Sequence, residues 1–476
     1  MMFANTSLLR RTLFGAMILA TGFAQSQQPA APAGQGAAAG QAGPRRVGPG
    51  GAAANTLPYD LLLQKGHVID AKNNIDRVTD VGIKDGVIAA VGDNLRPQDA
   101  LKTIDVSGDY VTPGLIDIHT HVYASTGEKS LAGDESVWPD GFTFRNGVTT
   151  VVDAGSSGWR NFEDFKAHVI DRSRTRVLAD LNIVGAGMRG RGPAFEDNIA
   201  DMSGEQTAWM AKRYPGVIVG IKSAHFTGPE WTPYIEAVKG GNLANIPVMI
   251  DYGSNRIERP LYDLLTKYLR PGDIYTHTYS GLRGEQNPAT LGPAANILAG
   301  RARGIYFDVG TGNGSYRFTI MVPLIKAGFK PDSISTDLHF ESMNQGTKDI
   351  LNVMDMFLAM GLTVQEVVAD TTAHPAHEIK QDQLGNLSVG SIADVAVLSE
   401  EHGNVGFWDV SGVRLPGNTR LHCELTLRAG RIVYDLNGIS MDVWDQPVTS
   451  DARMAGHWTS FTPRPPLPDE LTPRQK

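Results

Sequence analysis

Apolar residues change their spacing twice along the chain. From about Tyr59 to Val111 they alternate with polar ones in short runs, "DLLLQKGHVID", "VTDVGIKDGVIAAVG" and "LKTIDVSGDYV", punctuated by glycine and Asp-Gly. A period of two broken by such turns predicts short strands with one covered face, the texture of a small β-sandwich. Between Pro113 and about Leu384 the runs become strand-like and mostly apolar: "GLIDIHTHV", "VTTVVDAGS", "RVLADLNIVG", "VIVGIKSAH", "IPVMIDYG", "DIYTHTYS", "GIYFDVGTG" and "SISTDLHF". Stretches between them, such as "NFEDFKAHVIDRSR" and "IERPLYDLLTKYL", carry helical spacing. Eight strands alternating with helices predict an α/β fold, a (β/α)8 TIM barrel over 113–384, with its active site at the C-terminal strand ends. The sandwich texture returns in "SIADVAVLS" and "LTLRAGRIVYDLNG". Segments 57–112 and 385–440 are therefore expected to form one composite β domain, with the barrel inserted between them.

The two termini lack both periods. Arg10 and Arg11 precede "TLFGAMILATGFA", an apolar stretch of signal-peptide length that ends in small residues, which predicts a signal over 1–24 cleaved after Ala24. The arginine pair gives a faint suggestion of twin-arginine export. The run is shorter than the ~20 residues a membrane span needs, which argues against a retained anchor. Residues 25–56, rich in Gln, Pro, Ala and Gly, cannot bury a core and read as a disordered tether; 441–476, ending "PRPPLPDELTPRQK", read as a loose tail. The expected location is periplasmic or secreted, with no membrane span after signal cleavage.

Composition narrows the chemistry. At 41% hydrophobic, the 476-residue chain is too polar for a multi-span membrane protein. Loss of Arg10 and Arg11 with the signal takes the formal charge from −8 to −10, and no basic block appears beyond Arg45-Arg46, which excludes a nucleic-acid partner. Cys423 is the only cysteine, so an exported chain has no internal disulfide and no thiolate metal cluster. A metal must be held by histidines, carboxylates or something less usual.

The strand ends supply such groups. His119 and His121 are two apart on the first run, so both imidazoles point to one face. Lys222 ends the fourth run, where an unpaired ammonium is costly to bury; Asp251 ends the fifth, His277 the sixth and Asp337 the eighth. Metal-ligating residue types at five of eight strand ends point to a metal site more strongly than any one of them.

On these residues the chain resembles the amidohydrolase superfamily of metal-dependent hydrolases. The resemblance runs from Tyr59 to Asn437, through "TPGLIDIHTHV" and "GSIADVAVL". "VTTVVDAGSSG", "VGIKS", "DIYTHTYSG" and "ISTDLH" narrow it to the dihydroorotase-like, amidohydrolase/deacetylase branch. It implies that His119, His121 and Asp337 hold one zinc ion, that His277 holds a second, and that Lys222, carboxylated by CO2, bridges them. It also implies one or two ions per chain, two being the expectation, and a metal-activated water whose proton Asp337 accepts. Relatives carry a histidine where this chain has Asp251. Aspartate remains a legitimate zinc ligand, so Asp251 is a ligand, an outer acceptor, or the sign of a lost second site; ligation is the reading adopted, because Lys222 and His277 are retained. Thr311 likewise stands where relatives often have a substrate-touching histidine.

Other positions have blander readings beside the functional one. His339 shares a strand face with Asp337 and is a candidate substrate contact, as are Thr311 and Arg189, the last beside Arg191 on the loop after the third strand. Asp153 and Asp308 read as caps of the loops they begin rather than as supports for a ligand. His374 and His377 have helical spacing but follow the last barrel strand and flank Pro375, against a metal pair. "GTGNG" lacks the strand–helix context of a dinucleotide loop and reads as a tight turn at the barrel mouth. The arginine that follows HxH in true dihydroorotases is absent, where this chain continues Val122-Tyr123. The expected function is an exported hydrolase of an amide or ester of a small N-acylated or O-acylated acid. The alternatives are a cyclic amidohydrolase or deaminase on the same scaffold, or a metal-binding or ligand-binding barrel without catalysis. A small molecule is the expected partner, and a homo-oligomer is compatible with the sequence.

Overall fold

The computed structural model describes residues 56–190 and 194–445. The expected signal peptide, Arg191, and nearly all of the tether and tail lie outside the described residues. Strands β1 (Tyr59–Asp70), β2 (Ile75–Lys84), β3 (Val87–Gly92), β4 (Ala100–Asp105) and β5 (Tyr110–Pro113) come first. Then, with helices between them, come β6 (Leu115–Thr120), β7 (Val148–Gly158), β8 (Arg176–Asn182), β9 (Ile218–Ser223), β10 (Val248–Ile250), β11 (Ile274–Tyr275) and β12 (Tyr306–Phe307). Strands β13 (Val395–Trp408), β14 (Arg414–Arg428) and β15 (Arg431–Asp435) follow.

The first and last groups share one eight-stranded sheet, in the order β15-β14-β13-β5-β1-β2-β3, with β4 also on β1. Strand β5 makes the join: it runs antiparallel to β13, with Pro113 opposite Val395 and Tyr110 opposite Leu398. Strand β1 has three neighbours because it changes partner along its length, pairing with β4 from Tyr59 to Gln64 and with β5 at His67 and Val68. Gly66 sits at that change. A Cβ there would lie 2.4 Å from Val111 Cγ2, so only glycine lets β1 come this close to the neighbouring strand. Beneath the sheet, Leu61, Val68, Val81, Ile83, Val111, Val395, Val397, Leu425 and Leu427 form one buried cluster drawn from both ends of the chain.

The middle of the chain forms a parallel seven-stranded sheet in sequence order, β6 to β12. Ile116, Ile118, Val152, Ala154, Leu178, Val219, Met249 and Ile274 pack together and against Ala376, Ile379 and Leu384. A larger cluster, including Phe162, Tyr234, Leu264, Ile297, Met321 and Phe357, joins the strands to the helices. Where the sequence predicts eight regular strands here, the structure gives seven, and β10 to β12 are only two or three residues long. The run "SISTDLHF" is held instead by two isolated parallel bridges, Ser333 to Asp308 and Leu338 to Thr120, and so lies between β12 and β6. Side chains take over where a ladder is missing: Ser333 and Ser335 hydroxyls donate to Asp308, and Thr336 donates to Asp117. The helices are also shorter than their periodicity suggests. "NFEDFKAHVIDRSR" yields Phe162–His168 and a 3-10 turn, and "IERPLYDLLTKYL" a single helical turn followed by a π turn over Leu264–Tyr268.

One buried ion triad ties the two sheets together. Asp394, just before β13, accepts from Arg176 of β8 at 2.5 Å and from Arg428 of β14 at 3.2 Å. Its backbone carbonyl accepts from Gly114 N, directly between β5 and β6. Among the described residues, no helix is long and apolar enough to cross a membrane.

Candidate metal centre

Every strand-end residue singled out from the sequence as a metal ligand is buried. His119 is the last residue but one of β6 and His121 follows the strand directly, Lys222 lies in β9, Asp251 follows β10 directly, His277 lies two residues past β11, and Asp337 sits in the bridged segment. One atom each from His119, His277 and Asp337 gathers within 4.8 Å, a spacing that suits a single ion. His121 Nε2 stands 3.0 Å and His119 Nε2 3.5 Å from Asp337 Oδ1. The His119 and His277 ring centroids are 5.0 Å apart.

What turns these rings inward is a contact behind each one. His119 Nδ1 meets Thr276 Oγ1 at 3.0 Å, whose hydroxyl donates in turn to Asp308 Oδ2 at 2.6 Å. His121 Nδ1 meets Ser156 Oγ at 2.9 Å. His277 Nδ1 donates to the Gly310 carbonyl at 2.6 Å, which fixes its proton on Nδ1. With Nδ1 engaged, Nε2 is the nitrogen left for a metal, the arrangement that orients and strengthens histidine ligands. Gly310 is required here: a Cβ on it would meet Thr276 Oγ1 at 2.4 Å and both His119 and His277 Nδ1 at 3.0 Å or less.

The electrostatics follow from burial. Burial opposes ionisation of Asp337, but the imidazoles of His119, His121 and His339 outweigh it and hold its carboxyl well below the usual range. Burial pushes His119 down to about 3, helped by the nearby Lys222, and lowers His121 as well. Both rings are neutral and available as ligands near neutrality. Lys222 makes no ion pair among the described residues; its Nζ lies 2.9 Å from His119 Nε2 and 3.6 Å from Met249 Sδ. Burial lowers its basicity against the pull of Asp251, Asp337 and Asp180.

Asp251 is held differently. Its Oδ1 accepts from the buried Arg283 guanidinium at 2.5 Å, and its Oδ2 lies 3.3 Å from His225 Nε2 and 3.6 Å from His277 Nε2. Arg283 also donates to the Gly253 carbonyl and the Ser280 hydroxyl, so the guanidinium is fixed from several sides. Burial again opposes ionisation, and Arg283, His277 and His225 hold the Asp251 carboxyl well below its ordinary range. Neither Arg283 nor His225 stands out in the sequence, although His225 closes the run "VIVGIKSAH".

The remaining candidates are placed as follows. His339 is buried, its Nδ1 on the Asp337 carbonyl at 2.8 Å and its ring 6.1 Å from that of His121. Thr311 is fully buried, with its hydroxyl donating to the Thr336 carbonyl at 3.0 Å, and it ties the loop after β12 to the bridged segment. Arg189 is half-exposed in a two-point ion pair with Glu128. Asp153 does not begin a loop: it lies inside β7 and accepts from Val122 N, just past β6, and from Ser156 N of its own strand, both at 2.8 Å. Asp308 does not cap its loop; it takes hydroxyls from Thr276, Ser333 and Ser335 behind His119. His374 and His377 pair separately with Asp370 and Asp382, each at 2.8 Å, away from the centre.

No family model matches the chain. Over 332 residues it is 33% identical to a deacetylase of Brucella anthropi, covering 68% of this chain and 79% of that one. It is 34% identical over 322 residues to a deacetylase of Agrobacterium fabrum, covering 66% and 76%. A crystal structure of an adenine deaminase matches with a TM-score of 0.72 at 26% identity, over 79% of this chain and 100% of that one.

Proposed function

The chain belongs to the amidohydrolase superfamily of hydrolytic enzymes acting on carbon–nitrogen bonds, and from that premise we propose an exported zinc hydrolase that cleaves the amide or ester bond of a small N-acylated or O-acylated acid. The observation that carries the chemistry is the inward convergence of His119, His121 and His277 Nε2 on two ionised carboxylates, each ring backed at Nδ1. The acyl substrate class draws its support from the two relatives named deacetylase. Bridges on either side of 333–338 support reading the parallel sheet as a closed (β/α)8 barrel. The sheet shared by the chain's two ends supports segments 57–112 and 385–440 as one composite domain. Export to the periplasm or beyond is supported by Arg10-Arg11 and the apolar run that follows.

The donor set suits divalent zinc, which prefers imidazole nitrogen and carboxylate oxygen. As the resemblance implies, His119, His121 and Asp337 would hold one ion and His277 and Asp251 a second, although His277 also gathers with His119 and Asp337 in this structure. Bound there, the metal supplies a water acidic enough to ionise near neutral pH and polarises the scissile carbonyl. Asp337, ionised and beside the His119 and His121 nitrogens, is placed to take a proton from an attacking water and would pass it to the leaving nitrogen or oxygen. His339 braces the Asp337 backbone from behind. Lys222 is suited to carboxylation, because only a neutral amine adds CO2 and burial drives Lys222 toward that form. As a carbamate it would add an anionic oxygen donor to the centre.

Turnover of a panel of N-acetyl amino acids and O-acetyl hydroxy acids, by protein loaded with zinc and bicarbonate, tests the reading. Release of acetate from any member supports it; no release from any, with metal bound, overturns it. The likeness to an adenine deaminase structure favours a second reading, deamination, so adenine belongs in the same panel with ammonia as the readout.

A further inference from the structure

His225 has no assigned role; about two-fifths of its side chain is exposed (41%), unlike the buried rings around it, but like them it is held at Nδ1 by a partner behind it. We propose that His225, with Asp251 and His277, forms the second divalent-cation position of this centre, supplying the nitrogen that the strand-five position lacks. The inference rests on the metal-dependent reading above and deepens it.

Three observations carry it. The first is orientation. Glu196, itself buried, engages His225 Nδ1 with both carboxylate oxygens, at 2.9 and 3.1 Å, and leaves Nε2 free to face the centre. A carboxylate behind the distal nitrogen is the support that metal-bound histidines most often carry. The second is convergence. His225 Nε2 and His277 Nε2 both address one atom, Asp251 Oδ2, while Arg283 occupies Oδ1 and so presents Oδ2 to the two rings. The three residues come from the ends of three neighbouring strands, β9, β10 and β11.

The third is backbone conformation. His225 has φ +55°, in the left-handed region that a non-glycine residue enters only at a cost. Two other candidate ligands, His277 at +59° and Asp337 at +48°, do the same. Strain of this kind gathers where a side chain must be aimed against the preference of its strand. His225 is three residues past Lys222, so in an extended strand the two side chains would face opposite sides. The left-handed residue lets both join one centre.

The test is metal stoichiometry, read independently of turnover. Purified protein, with residues 1–24 removed, is stripped with chelator, supplied with bicarbonate and titrated with Co2+ under visible absorption. Zinc-loaded samples are counted in parallel by elemental analysis. Wild type is expected to take two ions per chain and His225→Ala one, with the second cobalt absorption step missing. Glu196→Gln leaves His225 in place but removes its support, and it is expected to weaken the second step about 10- to 100-fold while sparing the first; it serves as well if His225→Ala does not fold. Two ions bound with unchanged affinities in both variants would overturn the assignment of His225. A wild type that holds one ion and still hydrolyses acyl substrates would overturn this inference alone, whereas one that holds none would overturn the metal-dependent reading beneath it.

Discussion

The two halves of the centre hold their carboxylates by opposite means. Asp337 faces neutral imidazoles and no fixed cation, so its charge is left for something else to neutralise. Asp251 is already paired with the buried guanidinium of Arg283. The first half is therefore organised around a missing positive charge, and the second is anchored by one the chain brings itself. The contrast teaches that ligand type alone does not say how a site responds to losing its metal; the wiring behind the ligands does.

The largest expected effect breaks the first half. Asp337→Asn should lower kcat/KM about 10²- to 10⁴-fold, the usual weight of a positioned proton acceptor, while most of the metal remains by elemental analysis. Unchanged turnover would remove Asp337 from the proton path. The second half should instead fail in stability. Asp251→Ala strands Arg283 as a buried unpaired charge and should cost about 3–5 kcal/mol in denaturant unfolding, with or without metal. A cost confined to the metal-loaded protein would mean that Asp251 serves the ion and not the arginine.

A smaller effect is expected from pH, in metal-free protein. The folded His119 titrates near 3, below its unfolded value of about 6.5, so between those values the unfolded chain binds the extra proton. Its contribution is present above pH 6.5 and is lost as pH falls, by about 1.4 kcal/mol per unit. Asp337 and Asp251 also have lowered folded values, so their contributions are held above about pH 3.9 and lost further down. Measured against His119→Asn, urea midpoints of the apoprotein should decline from pH 7 to 4, and the zinc-loaded protein should decline more steeply, because metal affinity itself falls as the ligands take up protons. A flat apoprotein profile would show that the His119 ring is not buried neutral. Smallest of all, Arg189→Ala removes a half-exposed pair with Glu128 and should change stability by less than about 1 kcal/mol. A raised KM for acidic substrates alone would make Arg189 a substrate contact after all.

The strand ends were legible because their chemistry is local. HxH in a strand, and single ligand types at the ends of apolar runs, need only a period of two to be read. The eighth run misled for the same reason: its apolar alternation is real, but Ser333, Ser335 and Thr336 spend their hydroxyls on Asp308 and Asp117, and the ladder never forms. Asp308 itself sits at the start of a loop, where capping is the local expectation; its partners lie just past β11 and in the bridged segment. Arg283 was invisible because its carboxylate is 32 positions away with no spacing rule to link them. His225 lay within a run already marked as important, yet strand periodicity assigns it to the wrong face. Only a backbone angle, which no residue type announces at a histidine, brings it round.

The pairing of β5 with β13 has a consequence in time. Strand β6, which carries His119 and leads into His121, follows β5 after the single residue Gly114, and β5 is flanked on one side by a strand that begins at Val395. A chain emerging from its N-terminus thus makes its first ligands early and waits for more than half its length before the neighbour that steadies them exists. Contacts so distant in sequence are slow to form. Refolding followed by zinc uptake should accordingly lag behind the recovery of helical signal, with the centre among the last parts of the molecule to become competent.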